Sequence, residues 1–296
     1  MSQYLFQQLV NGLALGSLYA LVAIGFSMIY GIARLINFAH GDLVMVGAFS
    51  TLGLVAMGAP WPLILLLVLA IGAGAGATIG AVVFRPLIGA PQVTGFIATL
   101  AVSIVIQNTA LMALSGQPRN FLFPAFMRQR VGLGGVTASL TDLLIIGLTV
   151  VLIGTLLFIV YRTKLGTAMR ATAENLTAAR LMGVAVDRTI IVAFAMGSAL
   201  AAVGGLLWGG KFGQIDPLLG FVPGLKAFIA CVIGGIGSIG GAMLGGYILG
   251  LAEVLFVGLL PQEVSGYRDA FVFLLLIVIL LVKPSGLFVR HVDDRA

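Results

Sequence analysis

Charge is what this sequence has least of. Only 9% of its 296 residues are Asp, Glu, Lys or Arg, while 60% are hydrophobic; soluble domains run near 25% charged and about 45–50% apolar. So little charge excludes an ordinary soluble domain. Cysteine is almost absent too: the single Cys231 rules out an intrachain disulfide and a cysteine-cluster metal site, and with them disulfide redox chemistry. The two histidines, His40 and His291, form no H-E-x-x-H, and Ser238 lacks the flanking glycines of a nucleophile elbow. Intramembrane catalysis is therefore the weakest functional class. The 16 Lys and Arg outnumber the 10 acids for a net charge of +6, yet they lie singly between apolar runs and make no basic stripe. Nucleic acid is thus not a partner, and the excess fits a positive-inside bias. No basic residue precedes Arg34, so the n-region of a cleavable signal peptide is missing and the first apolar run is expected to stay as a span.

What the chain does have is long apolar runs, a mean hydropathy of +1.16 and 41 glycines. A bilayer core takes about 20 apolar residues per helix. Runs of that size fall at 9–30, 38–57, 61–84, 94–114, 143–161, 190–209, 224–260 and 270–289. The 224–260 run is too long for one untilted span and contains Gly234-Gly235-Ile236-Gly237-Ser238-Ile239-Gly240-Gly241. Such a cluster breaks a helix at membrane depth only where protein or water satisfies the freed backbone. The expected fold is all-α: a polytopic transmembrane bundle of about eight spans in one domain over 1–296, with a glycine-broken, re-entrant half-helix near 224–240 followed by a full helix.

Two hydrophilic segments interrupt the runs. Residues 115–142, with Gln117-Pro118-Arg119-Asn120 and Arg128-Gln129-Arg130, read as an ordered loop with interfacial pieces. Residues 162–188 set Arg162, Lys164, Arg170, Arg180 and Arg188 against only Glu174 and Asp187, which marks the cytoplasmic side. Arg34, Arg85 and the Lys283/Arg290 end then fall on that side and 115–142 outside, although three arginines in the outer loop run against the scheme. The C-terminus is cytoplasmic if 224–260 crosses as a half-helix plus one span.

Glycines at every fourth position, Gly72/Gly76/Gly80 and Gly237/Gly241/Gly245, predict close helix packing. Gly235 to Gly240 also spells G-x-G-x-x-G, but no strand precedes it, so a dinucleotide site is not supported. Gly205 to Lys211 spells G-x-x-x-x-G-K with Phe212 where a phosphate loop needs Ser or Thr, so the chain itself does not hydrolyse ATP. Polar groups at membrane depth carry more information, because each costs several kcal/mol unless paired or facing water. Lys226, Glu253 and the pair Gln107-Asn108 mark either a pathway or buried structural pairs. The segment Ile36-Asn37-Phe38-Ala39-His40-Gly41-Asp42 reads either as a turn and helix cap or as a polar lining for a cavity or partner. Residues 172–183 predict a short helix in the basic loop, closed by Gly183 and presenting Leu176, Leu181 and Met182 to a surface that must cover them.

Several motifs in one order carry a resemblance. They are Asn11-Gly12 with Gly16-Ser17-Leu18-Tyr19-Ala20-Leu21, Tyr30-Gly31, Ile36 to Asp42, 171–188, Lys226-Ala227-Phe228, 234–241, and Gly245-Gly246 through Glu253. Over essentially its whole length the chain resembles the permease subunits of bacterial branched-chain amino-acid ABC transporters of the LivH type. In ABC importers a cytoplasmic E-A-A-x-x-x-G helix docks on the ATPase; Ala178, Ala179 and Gly183 fit that spacing, with Thr177 in place of the glutamate. Coupling through Glu174 or Arg180 is left as the substitute. The resemblance implies a second homologous permease in a homo- or heterodimer, two ATP-binding subunits that hold the ATP and Mg, and a periplasmic binding protein. It also implies a multi-pass protein in the lipid of the inner membrane, with no cofactor or metal in this chain. Asn37, His40, Asp42, Asn108, Lys226 and Glu253 become pathway or gate candidates, and Gly234, Gly235, Gly237, Gly240, Gly241 and Gly245 the broken helix. The implied cargo is an aliphatic amino acid. Urea or short-chain amides are the alternative solutes, and an ion-coupled secondary transporter is the rival class.

Overall fold

The computed structural model describes residues 2–133 and 136–288. The last span ends earlier than the predicted 270–289, because its helix stops at Val282 and 283–288 is not helical; Val289, Arg290 and His291 lie outside the described residues. Among the described residues eleven α-helices run in the order α1 Ser2–Ala33, α2 Asp42–Ala56, α3 Trp61–Ile79, α4 Gln92–Leu114, α5 Leu140–Arg162, α6 Lys164–Glu174, α7 Leu176–Leu181, α8 Val186–Phe212, α9 Phe221–Gly234, α10 Ile239–Leu259 and α11 Arg268–Val282. Among the described residues, 8 helical segments are long and apolar enough to cross a bilayer, and α9 is a shorter apolar helix. The chain is thus a polytopic helical membrane bundle.

Helix α1 is the central column. Of its most apolar window 94% is buried inside the chain, against 78% for α8, 17% for α4 and 6% for the last span. A helix that is apolar all round and also covered all round belongs in the core. α10 lies along one flank of α1, with Gly246 and Gly250 meeting the backbones of Ala20 and Gly16, while α8 crosses it where Gly25 meets Gly197. α3 packs on α8 through Gly72 and Gly76, and the π-helical turn that continues it through Gly80; an added Cβ on Gly76 would fall 2.1 Å from Ser198 Oγ. Without a hydrophobic force between helices in lipid, such close backbone approach is a main source of their attraction.

The long run at 224–260 is broken as its glycines require. α9 ends at Gly234, the turn passes through Gly235 (φ 102°) and Gly237 (φ 88°), and α10 begins after Ser238, whose Oγ accepts from Gly241 N. Two expectations are corrected here. Gly237 is not on a helix, so Gly237/Gly241/Gly245 make no single face; Gly241 and Gly245 alone meet α9, at Gly234 and Ala230. Gly240 has nothing within 4 Å of a would-be Cβ and packs against nothing. The left-handed Gly235 and Gly237 redirect the chain and so take the helical spacing out of register.

The single helix predicted at 172–183 is also corrected. Asn175 is extended (φ −153°, ψ 109°) and its side chain accepts from Ala178 N, ending α6 and capping α7. An amide that can cap a new helix competes with continuing the old one. α1 extends beyond the predicted 9–30 at both ends, because polar residues can continue a helix past the hydrocarbon. The 115–142 loop is ordered by two small antiparallel ribbons. β1 Arg119–Asn120 pairs with β4 Gln214–Ile215, and β2 Arg130–Leu133 with β3 Val136–Ser139. Phe121 and Phe123 tuck onto Gly209 and Gly210 at the end of α8, and Lys211 there pairs with Asp142 in the first turn of α5. The loop and the start of α1 share one face of the bundle, and α6 and α7 lie on the opposite, basic face.

Candidate translocation site

The segment after α1 does not turn at the membrane surface. It re-enters along α4: Leu35 meets Gly95, the Thr99 hydroxyl donates to Ile36 O, and Phe38 packs edge-on against Phe96. By His40 the chain is level with the middle of α1, since His40 Nε2 lies 3.1 Å from Val22 O. At a rise of ~1.5 Å per residue this is about 16 Å in from the basic-face end of α1. α2 therefore starts inside the bundle, as does α9: Gly41 lies against Gly220 and Gly224 so closely that a Cβ on Gly41 would fall 2.5 Å from Gly220 O and 2.9 Å from Gly224 Cα. Irregular backbone at this depth is tolerated where protein buries it, and here Asn37, His40 and Asp42 are all at most 3% exposed.

Beside that junction is a cavity of about 80 Å³. Phe26, Phe38, Leu225 and Phe228 give it apolar walls, and Asp42, Ser103 and Gln107 its polar side. The first turn of α9 forms its edge at Gly220, Phe221 and Gly224, and Phe221 is exposed. Gln107 donates to Asp42 Oδ1 at 2.9 Å and to Ser103 Oγ at 3.1 Å. Asp42 Oδ2, His40 Nδ1 and both side-chain polar atoms of Asn37 are buried without a hydrogen-bond partner. The cavity's lining is apolar with few polar groups, as in small-molecule sites generally, while its volume is well below the ~300–1,000 Å³ of such sites, so a solute enters only as the walls move apart.

On the far side of α9 lies a charge network. Lys226 Nζ is 2.8 Å from Glu253 Oε1 and 2.9 Å from Asp269 Oδ1, and Arg268 Nε is 3.0 Å from Glu253 Oε1. The Tyr19 hydroxyl donates to Glu253 Oε2 at 2.8 Å, and Lys226 sits over the Tyr19 ring. α1, α9, α10 and α11 are joined through one buried carboxylate, whose charge is balanced as membrane depth requires.

The basic face carries the third group. Asn175 caps α7, and Gly183 leaves it with φ 81°, the left-handed position at a helix end that favours glycine. Ala179 is buried, whereas Leu181 and Met182 are each 83% exposed. Arg180 pairs with Asp187 at 3.0 Å and Arg85 with the same carboxylate at 3.3 Å, tying α7 to α8 and to the end of the third span. Arg34 donates to Ala173 O, tying α6 to the end of α1.

The residues singled out from the sequence therefore divide. Asp42 lines the cavity, with Asn37 and His40 buried just before it; Lys226 and Glu253 pair with each other on the other side of α9. Asn108 belongs to neither, since it is exposed and donates back to Ile104 O of its own helix. One position is about 100° of helix rotation, so it is Gln107 that turns inward. Glu174 and Ala178 are exposed on the basic face. Sequence reading missed Tyr19, Ser103, Arg268 and Asp269. Their partners are distant in sequence, and no local spacing announces them.

A bundle of spanning helices with two helices starting at membrane depth, a cavity between them and a tied surface helix defines the membrane-embedded permease class of transport proteins. Residues 8–281 match the family described as branched-chain amino acid transport system / permease component. The chain is 39% identical to the high-affinity branched-chain amino acid transport system permease protein BraD of Pseudomonas aeruginosa, over 96% of this chain and 95% of that one. It is 39% identical to the permease protein LivH of Escherichia coli (97% and 96% covered) and 30% identical to a probable LivH of Methanocaldococcus jannaschii (92% and 88% covered). The chain belongs to this permease family. No solved structure matches it.

Proposed function

We propose that the chain is the membrane-spanning subunit of an ATP-driven importer, which moves branched-chain aliphatic amino acids across the inner membrane by alternating access. Its relatives' names carry the substrate class, and the apolar walls of the cavity suit an aliphatic side chain. In this reading the partners are a second homologous permease, two ATP-binding subunits below the basic face and a periplasmic binding protein at the loop face. The ATP and Mg belong to the ATP-binding subunits, and this chain carries translocation and no catalysis.

The observation that carries the coupling is α7. A capped surface helix that leaves Leu181 and Met182 uncovered, and is tied by ion pairs to two spanning segments, suits a docking ridge that passes a push from the motor to the bundle. α6 passes the same push to α1 through Arg34. Access to the cavity then changes as α1 and α9 shift against α2 and α4. The test is uptake of labelled leucine, with urea in parallel, by proteoliposomes holding this chain and its candidate partners, with enclosed ATP and external binding protein. ATP-dependent leucine uptake is expected. Urea uptake in its place would keep the coupling and change the solute, and gradient-driven uptake by the chain alone would overturn the proposal.

A further inference from the structure

Charged side chains within the membrane are costly unless neutralised, and among the described residues at the depth of the cavity and of α9 Asp42 differs from the others in this respect. Lys226 faces two carboxylates, and Glu253 receives Lys226, Arg268 and Tyr19. Asp142 has Lys211. Asp42 has no ion pair among the described residues: Oδ1 accepts from the neutral amide of Gln107, and Oδ2 has no hydrogen-bond partner. The side chain is nonetheless about as buried as that of Lys226 and opens onto the cavity.

Resting on the importer reading above, we propose that Asp42 is a substrate-contacting residue of the translocation pathway, and that its Oδ2 receives the α-ammonium group of the amino acid. Several features of the surroundings suit a zwitterion. Gln107 holds Oδ1, and Oδ2 is left without a hydrogen-bond partner although it is covered, so a small turn of the Asp42 side chain toward the cavity is what presents Oδ2 to the ammonium. The α9 N-terminus lies alongside, with a Cβ on Gly220 falling 2.8 Å from Asp42 Cα. In the first turn of α9 the Phe221 N–H donates to Leu218 O, Pro223 has no N–H and the Gly224 N–H donates to Gly220 O, so the Val222 N–H and the positive end of the helix dipole are what meet the amino acid's carboxylate. Phe26, Phe38, Leu225 and Phe228 receive the aliphatic part. Ammonium and carboxylate are thereby each met by an opposite charge or dipole at a depth where water is scarce. The groups facing Asp42 from the packed elements are Ser103 and Gln107 of α4 and the backbone of Gly220 and Gly224; none of these is cationic.

Two measurements test this, both on the whole complex of permeases and ATP-binding subunits. In the first, proteoliposomes are assayed for leucine taken up per ATP hydrolysed. Asp42→Asn is expected to lower that ratio at least tenfold, with Asp42→Glu recovering part of it. A ratio within twofold of the parent for Asp42→Asn overturns the proposal while leaving the importer reading intact, whereas absence of ATP-dependent uptake by the parent sinks the importer reading itself. The second uses the parent complex in nanodiscs without binding protein, and so does not depend on how a variant folds. Labelled leucine is expected to bind saturably and to be displaced by unlabelled leucine, but not by 4-methylpentanoate, which keeps the side chain and carboxylate and lacks the ammonium. Equal displacement by 4-methylpentanoate, competitive displacement by sodium, or no leucine binding would each overturn it.

Discussion

Lys226 Nζ and Glu253 Oε1 lie 2.8 Å apart with both side chains buried, fastening the half-helix α9 to the full helix α10. Removing either partner leaves the network one charge out of balance, although Glu253 keeps Arg268 and Lys226 keeps Asp269, so the cost falls below the about 3–5 kcal/mol of a fully stranded buried charge. Lys226→Met and Glu253→Gln should each lower the unfolding temperature of the purified chain markedly. The double variant leaves Arg268 beside Asp269 at 3.8 Å and stays electrically balanced, so it should lose clearly less than the two single losses together. A four-member thermal unfolding cycle in detergent reads this, and additive losses would show that the pair is not coupled.

Gly74 and Gly76 give a contrast within one helix. A Cβ on Gly76 would lie 2.1 Å from Ser198 Oγ and 2.5 Å from Phe194 O, whereas one on Gly74 meets nothing within 4 Å. Gly76→Ala is expected to cost about 1–3 kcal/mol through forced separation of α3 and α8. Gly74→Ala should be neutral or stabilising by up to about 1 kcal/mol, as for alanine replacing glycine in a helix interior. Unfolding curves of the two variants, measured side by side, check the difference in sign.

The surface helix α7 separates stability from coupling. Leu181 and Met182 are each 83% exposed, so Leu181→Asp and Met182→Asp should change the chain's own stability by no more than about 0.5 kcal/mol. The same changes should sharply reduce co-purification with the ATP-binding subunit. Wild-type co-purification would exclude these residues from the docking ridge.

Gly183 gives the complementary case. Its φ of 81° with open space around it means that Gly183→Val is penalised through the backbone rather than by a clash, at roughly 1–2 kcal/mol. Uptake should fall while the complex still assembles, as read by size exclusion and leucine transport together. Unimpaired uptake would count against this exit geometry as a part of the coupling.

Cys231 is fully buried and its thiol donates to Ala23 O at 3.0 Å. As the sole cysteine, it should resist a maleimide in the folded chain and react after denaturation. Rapid labelling of the native protein, followed by mass spectrometry, would contradict the packing of α9 on α1.

The legible part of the fold was whatever depends on local composition. Long apolar runs mark the spans, and the glycines from Gly234 to Gly241 mark the break between α9 and α10, because backbone preference and hydropathy are carried by neighbours in sequence. The return of 35–41 into the bundle was not legible. Leu35, Ile36 and Phe38 are apolar in any reading, and only Gly95, Thr99 and Phe96 on α4 fix where they run. The same holds for the site: an intramembrane Lys226 and Glu253 stand out singly, but their pairing spans two helices and draws in Arg268 and Asp269 from a third. A polar residue in a span has two or three directions to point, so the sequence alone does not divide Gln107, which meets this cavity, from Asn108, which does not.

The network around Glu253 contains two acids, Glu253 and Asp269, and two bases, Lys226 and Arg268. With all four ionised they sum to zero. Moving one elementary charge through the whole membrane field takes about 2.3 kcal/mol per 100 mV, but a neutral cluster displaced as a body takes almost none. If α9, α10 and α11 move together, their motion is thereby insulated from the membrane potential, and the cell can polarise or depolarise without pushing this part of the permease toward either of its ends.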